Sequence, residues 1–292
     1  MTALVGSDFK RIGVVGSGLM GSGIAEVCAR AGLDVVVREI NAAAAEAGQQ
    51  RLTKSLDRGV SSNKLTEAVR DSALANITFT TDIDELADRQ LVVEAVVEDE
   101  ALKVGIFKEL DRVVIDEHAI LASNTSSIPI MKLGIATQRP EQVIGIHFFN
   151  PVPVLKLVEL VTSLMTSPET VAAADGFAAD VLGKKVIRSK DRAGFVVNAL
   201  LIPYLLSAIR MFESGFASAE DIDTGMVEGC SHPMGPLHLT DLIGLDTTLA
   251  VAQSLYEEFK EPLYAPPPLL SRMVDAGLLG RKTGRGFYDY PA

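Results

Sequence analysis

Tryptophan is missing from the 292 residues, and cysteine occurs only as Cys28 and Cys230. Two distant thiols outside any CxxC pair make no disulfide framework, and they read as buried, inert side chains. Histidine is scarce too: His118, His147, His232 and His238. No cysteine or carboxylate cluster stands beside them at ligand spacing, so no metal site is expected. No apolar run reaches the ~18 residues of a membrane span. The ten residues before the first strand carry no signal or transit pattern. Positive charge is in deficit, with 27 Lys and Arg against 38 Asp and Glu, a net charge of −11. Such a chain repels nucleic acid and anionic membranes, so neither is an expected partner. A soluble, cytoplasmic protein is expected, and an anionic substrate would need a local cationic patch.

What is present is apolar and periodic: 48% of residues are hydrophobic. Residues 11–190 alternate strand-like and helix-like runs, the rhythm of an α/β doubly wound parallel sheet. Strands are expected at Arg11–Gly16, Val35–Glu39, Ile77–Thr80, Leu91–Ala95, Ile120–Ser123 and Val143–His147. Leu157–Val161 and Lys185–Arg188 should extend the sheet. Residues 41–74, capped by Asn41 and restarting near Asn63–Thr66, read as an inserted helical hairpin. After a linker at Ser189–Gly194 only helices follow: Phe195–Ser214, Ala219–Glu228, Pro236–Leu242, Leu245–Phe259 and Pro268–Ala276. Two domains are expected, residues 1–190 and an all-helical 191–292.

Gly16–Ser17–Gly18–Leu19–Met20–Gly21 is GxGxxG, placed between a strand and a helix as a dinucleotide fingerprint requires. Gly16 permits the tight turn, Gly18 close approach of a pyrophosphate, and Gly21 close helix–strand packing. The helix N-terminus at Leu19 and Met20 offers N–H groups to phosphates. Glu39, at the end of the second strand, is placed to accept from both ribose hydroxyls of NAD. Arg38 precedes it; an arginine near this point can accommodate a 2′-phosphate, but strand alternation should put its side chain on the opposite face, to stack on the adenine or sit in solvent.

His147 ends a strand at the carboxyl edge, where such sheets bind ligands. Glu159 is the one carboxylate inside the apolar run Leu157–Val161, and a buried charge needs a partner. A His–carboxylate pair fixes the imidazole tautomer, as a general base requires. The residues alone equally allow a satisfied core histidine beside an edge-strand acid. Ala122–Ser127, a polar knot after another strand, reads either as ligand-binding or as a helix-capping turn. His118 reads as a surface-turn residue, and His232 and His238 as packing or surface residues.

Together these segments resemble the 3-hydroxyacyl-CoA dehydrogenase family, and its short bacterial 3-hydroxybutyryl-CoA members most. The resemblance runs from about Lys10 to Tyr290. It is carried by Ser123–Ser127, His147–Pro153 with Lys156–Glu159, Gly194–Asn198 and Gly284–Asp289. It implies a Rossmann-type NAD-binding domain, then a helical domain that forms a homodimer interface. The implied reaction interconverts (S)-3-hydroxyacyl-CoA and 3-ketoacyl-CoA. Family roles then fall on His147 as catalytic base, Glu159 as its partner, and Ser126 and Asn198 as substrate-orienting residues. Implied cofactor contacts are Glu39, Glu98 and Lys103, with Asn124, Ser126 and Asn150 from the motif segments. The hairpin should meet the CoA phosphates through Lys54, Arg58 or Lys64. The chain departs from the family pattern at Ser61–Ser62, where lysines are common, and at Arg38, where a neutral residue is common.

Two other readings compete. A β-hydroxyacid dehydrogenase acting on a free acid would use a lysine on the interdomain helix. This chain offers Asn198 there, and no lysine lies between Lys190 and Lys260. A non-catalytic dinucleotide-binding protein would be expected to lose the His–Glu pair, which is kept.

Overall fold

Runs of Val and Ile build the strands in the computed structural model, which describes residues 8–290. The strands are Arg11–Val15 (β1), Asp34–Arg38 (β2), Ile77–Thr80 (β3), Leu91–Glu94 (β4), Ile120–Ser123 (β5), Val143–Phe148 (β6), Leu157–Thr162 (β7) and Lys185–Lys190 (β8). They form one sheet in the order β3-β2-β1-β4-β5-β6-β7-β8. The first six are parallel. β7 then pairs antiparallel with β6, and β8 parallel with β7. A sheet covered on both faces loses polar alternation. Accordingly β4, β5 and β6 are buried along their whole length.

The helices of this part are Leu19–Arg30 (α1), Ala42–Ser61 (α2), Glu67–Ala75 (α3), Glu100–Val113 (α4), Ile130–Gly134 (α5) and Pro168–Gly176 (α6). Short polar side chains start most of them. Asn41, Thr66, Asp99 and Ser167 each accept an N–H from the first turn that follows. That satisfies donors the helix cannot pair itself. The α2–α3 hairpin buries Leu52 and Leu56 in the core. Each such side chain contributes ~1.5–3 kcal/mol. Arg51 fastens the hairpin to the β1–α1 turn by donating to the Ser17 carbonyl at 2.6 Å. Gly48 allows that approach, since a Cβ there would stand 1.9 Å from Ser17 Oγ.

The chain divides into two compact units, the first ending at Asp191 and the second beginning at Arg192. The second holds Val197–Glu213 (α7), Ala219–Cys230 (α8), Pro236–Ile243 (α9), Leu245–Phe259 (α10) and Pro268–Asp275 (α11). α7 starts two residues later than the sequence pattern predicts. Gly194 and Phe195 both take positive φ, +75° and +47°, which no right-handed helix accommodates. Two buried acids tie the C-terminal segment down. Asp241 accepts from the Phe287 and Tyr288 N–H groups and the Tyr290 hydroxyl. Asp223 accepts from the Tyr288 hydroxyl and pairs with His238 Nδ1 at 2.6 Å. His232 faces the Tyr204 hydroxyl at 3.1 Å. Both histidines are thus held by packing partners within their own unit. Among the described residues no helix is long and apolar enough to cross a membrane, and no group of His, Cys, Asp and Glu could hold a metal ion.

Candidate active site

The strand order reverses between β1 and β4, and such a switch point opens a crevice at the carboxyl ends of the strands. Gly16 has a φ of +91°, and a Cβ there would stand 2.9 Å from the Ala95 carbonyl oxygen. At Gly21 a Cβ would lie 1.8 Å from the Gly16 carbonyl oxygen. Both must therefore be glycine for the turn to close. Gly18 is different: a Cβ there would meet nothing within 4 Å, so its missing side chain leaves open space before the α1 N-terminus. Gly18 is also the N-cap and supplies no acceptor for the N–H groups of Leu19 and Met20. A diphosphate fits this cradle in shape and in charge.

A cleft of about 640 Å³ continues from the turn, lined among others by Gly18, Arg38, Glu39, Ile40, Val97 and Leu102. Glu39 accepts from the Ser17 N–H, from Ser17 Oγ at 2.8 Å and from the Ile40 N–H at 3.0 Å. Burial alone would push its carboxyl up. The Ser17 and Ile40 hydrogen bonds, with the Arg38 charge, hold it below the ordinary carboxylate value instead. Arg38 lines the same cleft as Glu39.

At the far side of the sheet β6 and β7 pair in a register that sets His147 directly opposite Glu159. Directly opposed residues project on the same face, so the two side chains meet. His147 Nδ1 lies 2.7 Å from Glu159 Oε2. The pair is sealed in, with Glu159 0% and His147 4% exposed. A carboxylate only accepts, so Nδ1 donates, and in the neutral imidazole Nε2 is then the nitrogen with the lone pair. Nε2 faces Ser126 Oγ at 3.2 Å. The Phe149 ring packs on the imidazole at 4.6 Å between centroids. Asn124 Oδ1 accepts the Phe148 N–H at 2.9 Å, locking the strand end that carries the histidine.

The loop bearing Ser126 is held from beneath by Glu98. One oxygen of Glu98 accepts from Thr125 Oγ1, the Ser126 N–H at 3.0 Å, the Ser127 N–H at 3.1 Å and Ser127 Oγ at 2.9 Å. Its other oxygen lies 3.3 Å from Lys103 Nζ. Burial would push the Glu98 carboxyl up, but Lys103 and the loop donors hold it below the ordinary value. Lys103 is itself 1% exposed and pairs with Glu94 at 2.7 Å. Glu94 in turn accepts from Ser123 Oγ at 2.6 Å and the Val96 N–H at 2.7 Å. The buried chain Ser123–Glu94–Lys103–Glu98 thus joins β4, α4 and β5 to the loop that carries Ser126. Sequence reasoning overlooked Glu94. The rule that singled out Glu159, one acid inside an apolar strand, applies equally to Leu91–Val92–Val93–Glu94.

This geometry has close counterparts. The family model described as 3-hydroxyacyl-CoA dehydrogenase, NAD binding domain, matches residues 11–192. That of the family's C-terminal domain matches residues 194–290. The chain belongs to the 3-hydroxyacyl-CoA dehydrogenase family. A 3-hydroxybutyryl-CoA dehydrogenase of Mycobacterium tuberculosis (strain ATCC 25618 / H37Rv) is 64% identical over 96% of this chain and 98% of its own length. The crystal structure of M. tuberculosis FadB2 superposes with a TM-score of 0.96 at 63% identity, covering 97% of this chain and 99% of that one. The (S)-3-hydroxybutyryl-CoA dehydrogenase PaaH1 of Ralstonia eutropha gives 0.92 at 49% identity, covering 98% and 100%.

NAD is therefore the cofactor of this dehydrogenase fold, and the residues of the β1–α1 turn fit it. Of the other residues the family resemblance implies, Asn198 stands half-buried on the first turn of α7 in the second unit. Asn150 is exposed and precedes a cis peptide bond to Pro151. Lys54, Arg58 and Lys64 are exposed on the hairpin. Lys103 is not at the surface: its ammonium sits between Glu94 and Glu98.

The Glu98 and Glu39 shifts carry a pH dependence. A carboxyl whose folded value is depressed adds stability above its unfolded value of about 4.3, and that contribution is lost as pH falls through the folded value. Acid unfolding of the wild type should therefore begin below about pH 4.3. In Glu98→Gln the decline over that window should be shallower. A stability–pH profile from urea titrations checks this, and an unchanged slope would speak against the loop anchor.

Proposed function

We propose that this chain interconverts (S)-3-hydroxyacyl-CoA and 3-ketoacyl-CoA thioesters, acting on the short 3-hydroxybutyryl chain, with His147 as general base. The observation that carries the reading is the line Glu159–His147–Ser126. It leaves one imidazole nitrogen basic and pointed at a hydroxyl-bearing loop. NAD, when bound, supplies the hydride acceptor. Ser126 holds the 3-oxygen of the substrate. His147 Nε2 takes the hydroxyl proton as the C3 hydride leaves, and Glu159 stabilises the imidazolium. In reverse the imidazolium returns that proton to the ketone oxygen. Glu98 and Lys103 act on this step through the loop they hold. The test is NADH oxidation with acetoacetyl-CoA and a series of longer 3-ketoacyl-CoAs. The highest kcat/KM is expected with acetoacetyl-CoA, and no turnover with any member would sink the reading.

The CoA nucleotide is assigned to the hairpin. Lys54, Arg58 and Lys64 are exposed and form no ion pair among the described residues, so they are available to phosphates. Neutralising all three should raise KM for acetoacetyl-CoA and leave KM for a pantetheine-truncated substrate almost unchanged, with the difference shrinking in salt. Equal effects on both substrates would mean that these cations do not touch the nucleotide.

Glu39 is assigned to the adenosine ribose. A 2′-phosphate would meet its ionised carboxylate, so NADH should exceed NADPH in kcat/KM by at least about tenfold, or ~1.4 kcal/mol. Glu39→Ser should narrow that ratio. Equal wild-type values for the two cofactors would reject the assignment.

The same reading makes the protein a cytoplasmic homodimer joined through its helical unit. Leu200 and Phe216 of that unit are 73% and 79% exposed, a large apolar area for a lone chain to leave in water. Sedimentation of the wild type should give twice the chain mass, and Leu200→Glu should lower it.

A further inference from the structure

Arg38 is an unspent cation in the cofactor cleft. Its guanidinium forms no hydrogen bond and no ion pair among the described residues, and its Nε is shut off from solvent without an acceptor. A buried donor left unmet is unfavourable, and the nearby Glu39 charge, which Arg38 helps to stabilise, does not supply the missing acceptor. The neighbours on the cleft wall are as unusual. Ile40 and Val97 are 72% and 70% exposed, and Leu102 is 42% exposed. Three apolar side chains held open to water beside an unpartnered planar cation match one kind of ligand: a flat, electron-rich heteroaromatic ring. A guanidinium stacks on such a ring and can also donate to its nitrogens, while aliphatic groups cover the remaining ring surface.

We propose that Arg38 binds the adenine base of NAD and is a specificity-determining residue of this cleft. It serves the base and not a 2′-phosphate. The Glu39 carboxylate, fixed by Ser17 and Ile40, occupies the wall where that phosphate would have to come. Arg38 and Glu39 therefore divide the adenosine between them, one taking the base and the other the ribose. The proposal rests on NAD as the cofactor, and it does not depend on the acyl substrate.

The test is direct binding of four ligands to the whole protein by calorimetric titration: NADH, NADPH, ADP-ribose and reduced nicotinamide mononucleotide, which lacks the adenosine. Arg38→Ala should weaken NADH and ADP-ribose by roughly tenfold and leave the mononucleotide within about twofold of wild type. Arg38→Lys should recover little of the loss, because an ammonium has no planar face to stack. Arg38→Gln serves if the alanine variant does not fold. NADH and ADP-ribose affinities that stay within about twofold of wild type would overturn the proposal. So would an equal loss for the mononucleotide, which would place the effect on the turn. A loss confined to NADPH would also overturn it, since Arg38 would then be a phosphate ligand.

Discussion

His147→Gln is expected to fold, to bind NADH like the wild type, and to lose kcat by roughly 10²–10⁴-fold, the usual worth of a positioned acid–base group. Glutamine is the right replacement because its amide can still donate to Glu159, which is 0% exposed. What it lacks is a basic nitrogen at the position of Nε2. Ser126, 3.2 Å away, is no substitute, since an unassisted hydroxyl takes up a proton poorly at neutral pH. Steady-state kinetics with acetoacetyl-CoA, alongside an NADH titration, separate the two effects. A near wild-type kcat would remove His147 from the mechanism.

The largest effect on stability is expected at Lys103. Its ammonium lies 2.7 Å from Glu94, with side chains 1% and 0% exposed. Removing one partner of such a pair strands the other, at a cost of about 3–5 kcal/mol. Lys103→Met should lower the stability measured by urea unfolding by that amount. The double variant Lys103→Met with Glu94→Gln should recover part of it, because Glu94 then brings no buried charge that lacks a cation. The loss should also reach catalysis. Glu98 would lose the cation 3.3 Å away that helps keep it ionised beneath Ser126. A Lys103→Met protein within about 1 kcal/mol of wild type would show that the network does not depend on this pair.

The parts of the fold that could be read from sequence were those whose reasons are local. Ile77–Thr80, Ile120–Ser123 and Leu245–Phe259 begin and end where the apolar runs place them, since turn residues or charges bound each run. Asn41 caps its helix as its residue type predicts. Misreadings came where a distant or conformational cause acts. The start of α7 is displaced by two left-handed residues, Gly194 and Phe195, and Phe195 carries no sequence signal for that conformation. In the site, the meeting of His147 and Glu159 could be argued from an apolar strand with one acid in it, yet residues alone left a core histidine equally open. The antiparallel register that sets them opposite one another decides that they touch. The use of Glu98 was not legible. Its four donors come from residues 125–127, more than 25 positions away in sequence, and no periodicity reports such a contact.

The central claim is that the thioester substrate is recognised as a CoA ester and reduced at its 3-position through His147. The most direct measurement compares kcat/KM for NADH-dependent reduction of acetoacetyl-CoA with that of free acetoacetate by the wild-type protein. Binding energy from the CoA portion, remote from the reacting carbon, should favour the thioester by at least about 10²-fold. Equal values, or a preference for acetoacetate, would contradict the account and place the protein among dehydrogenases of free hydroxy acids.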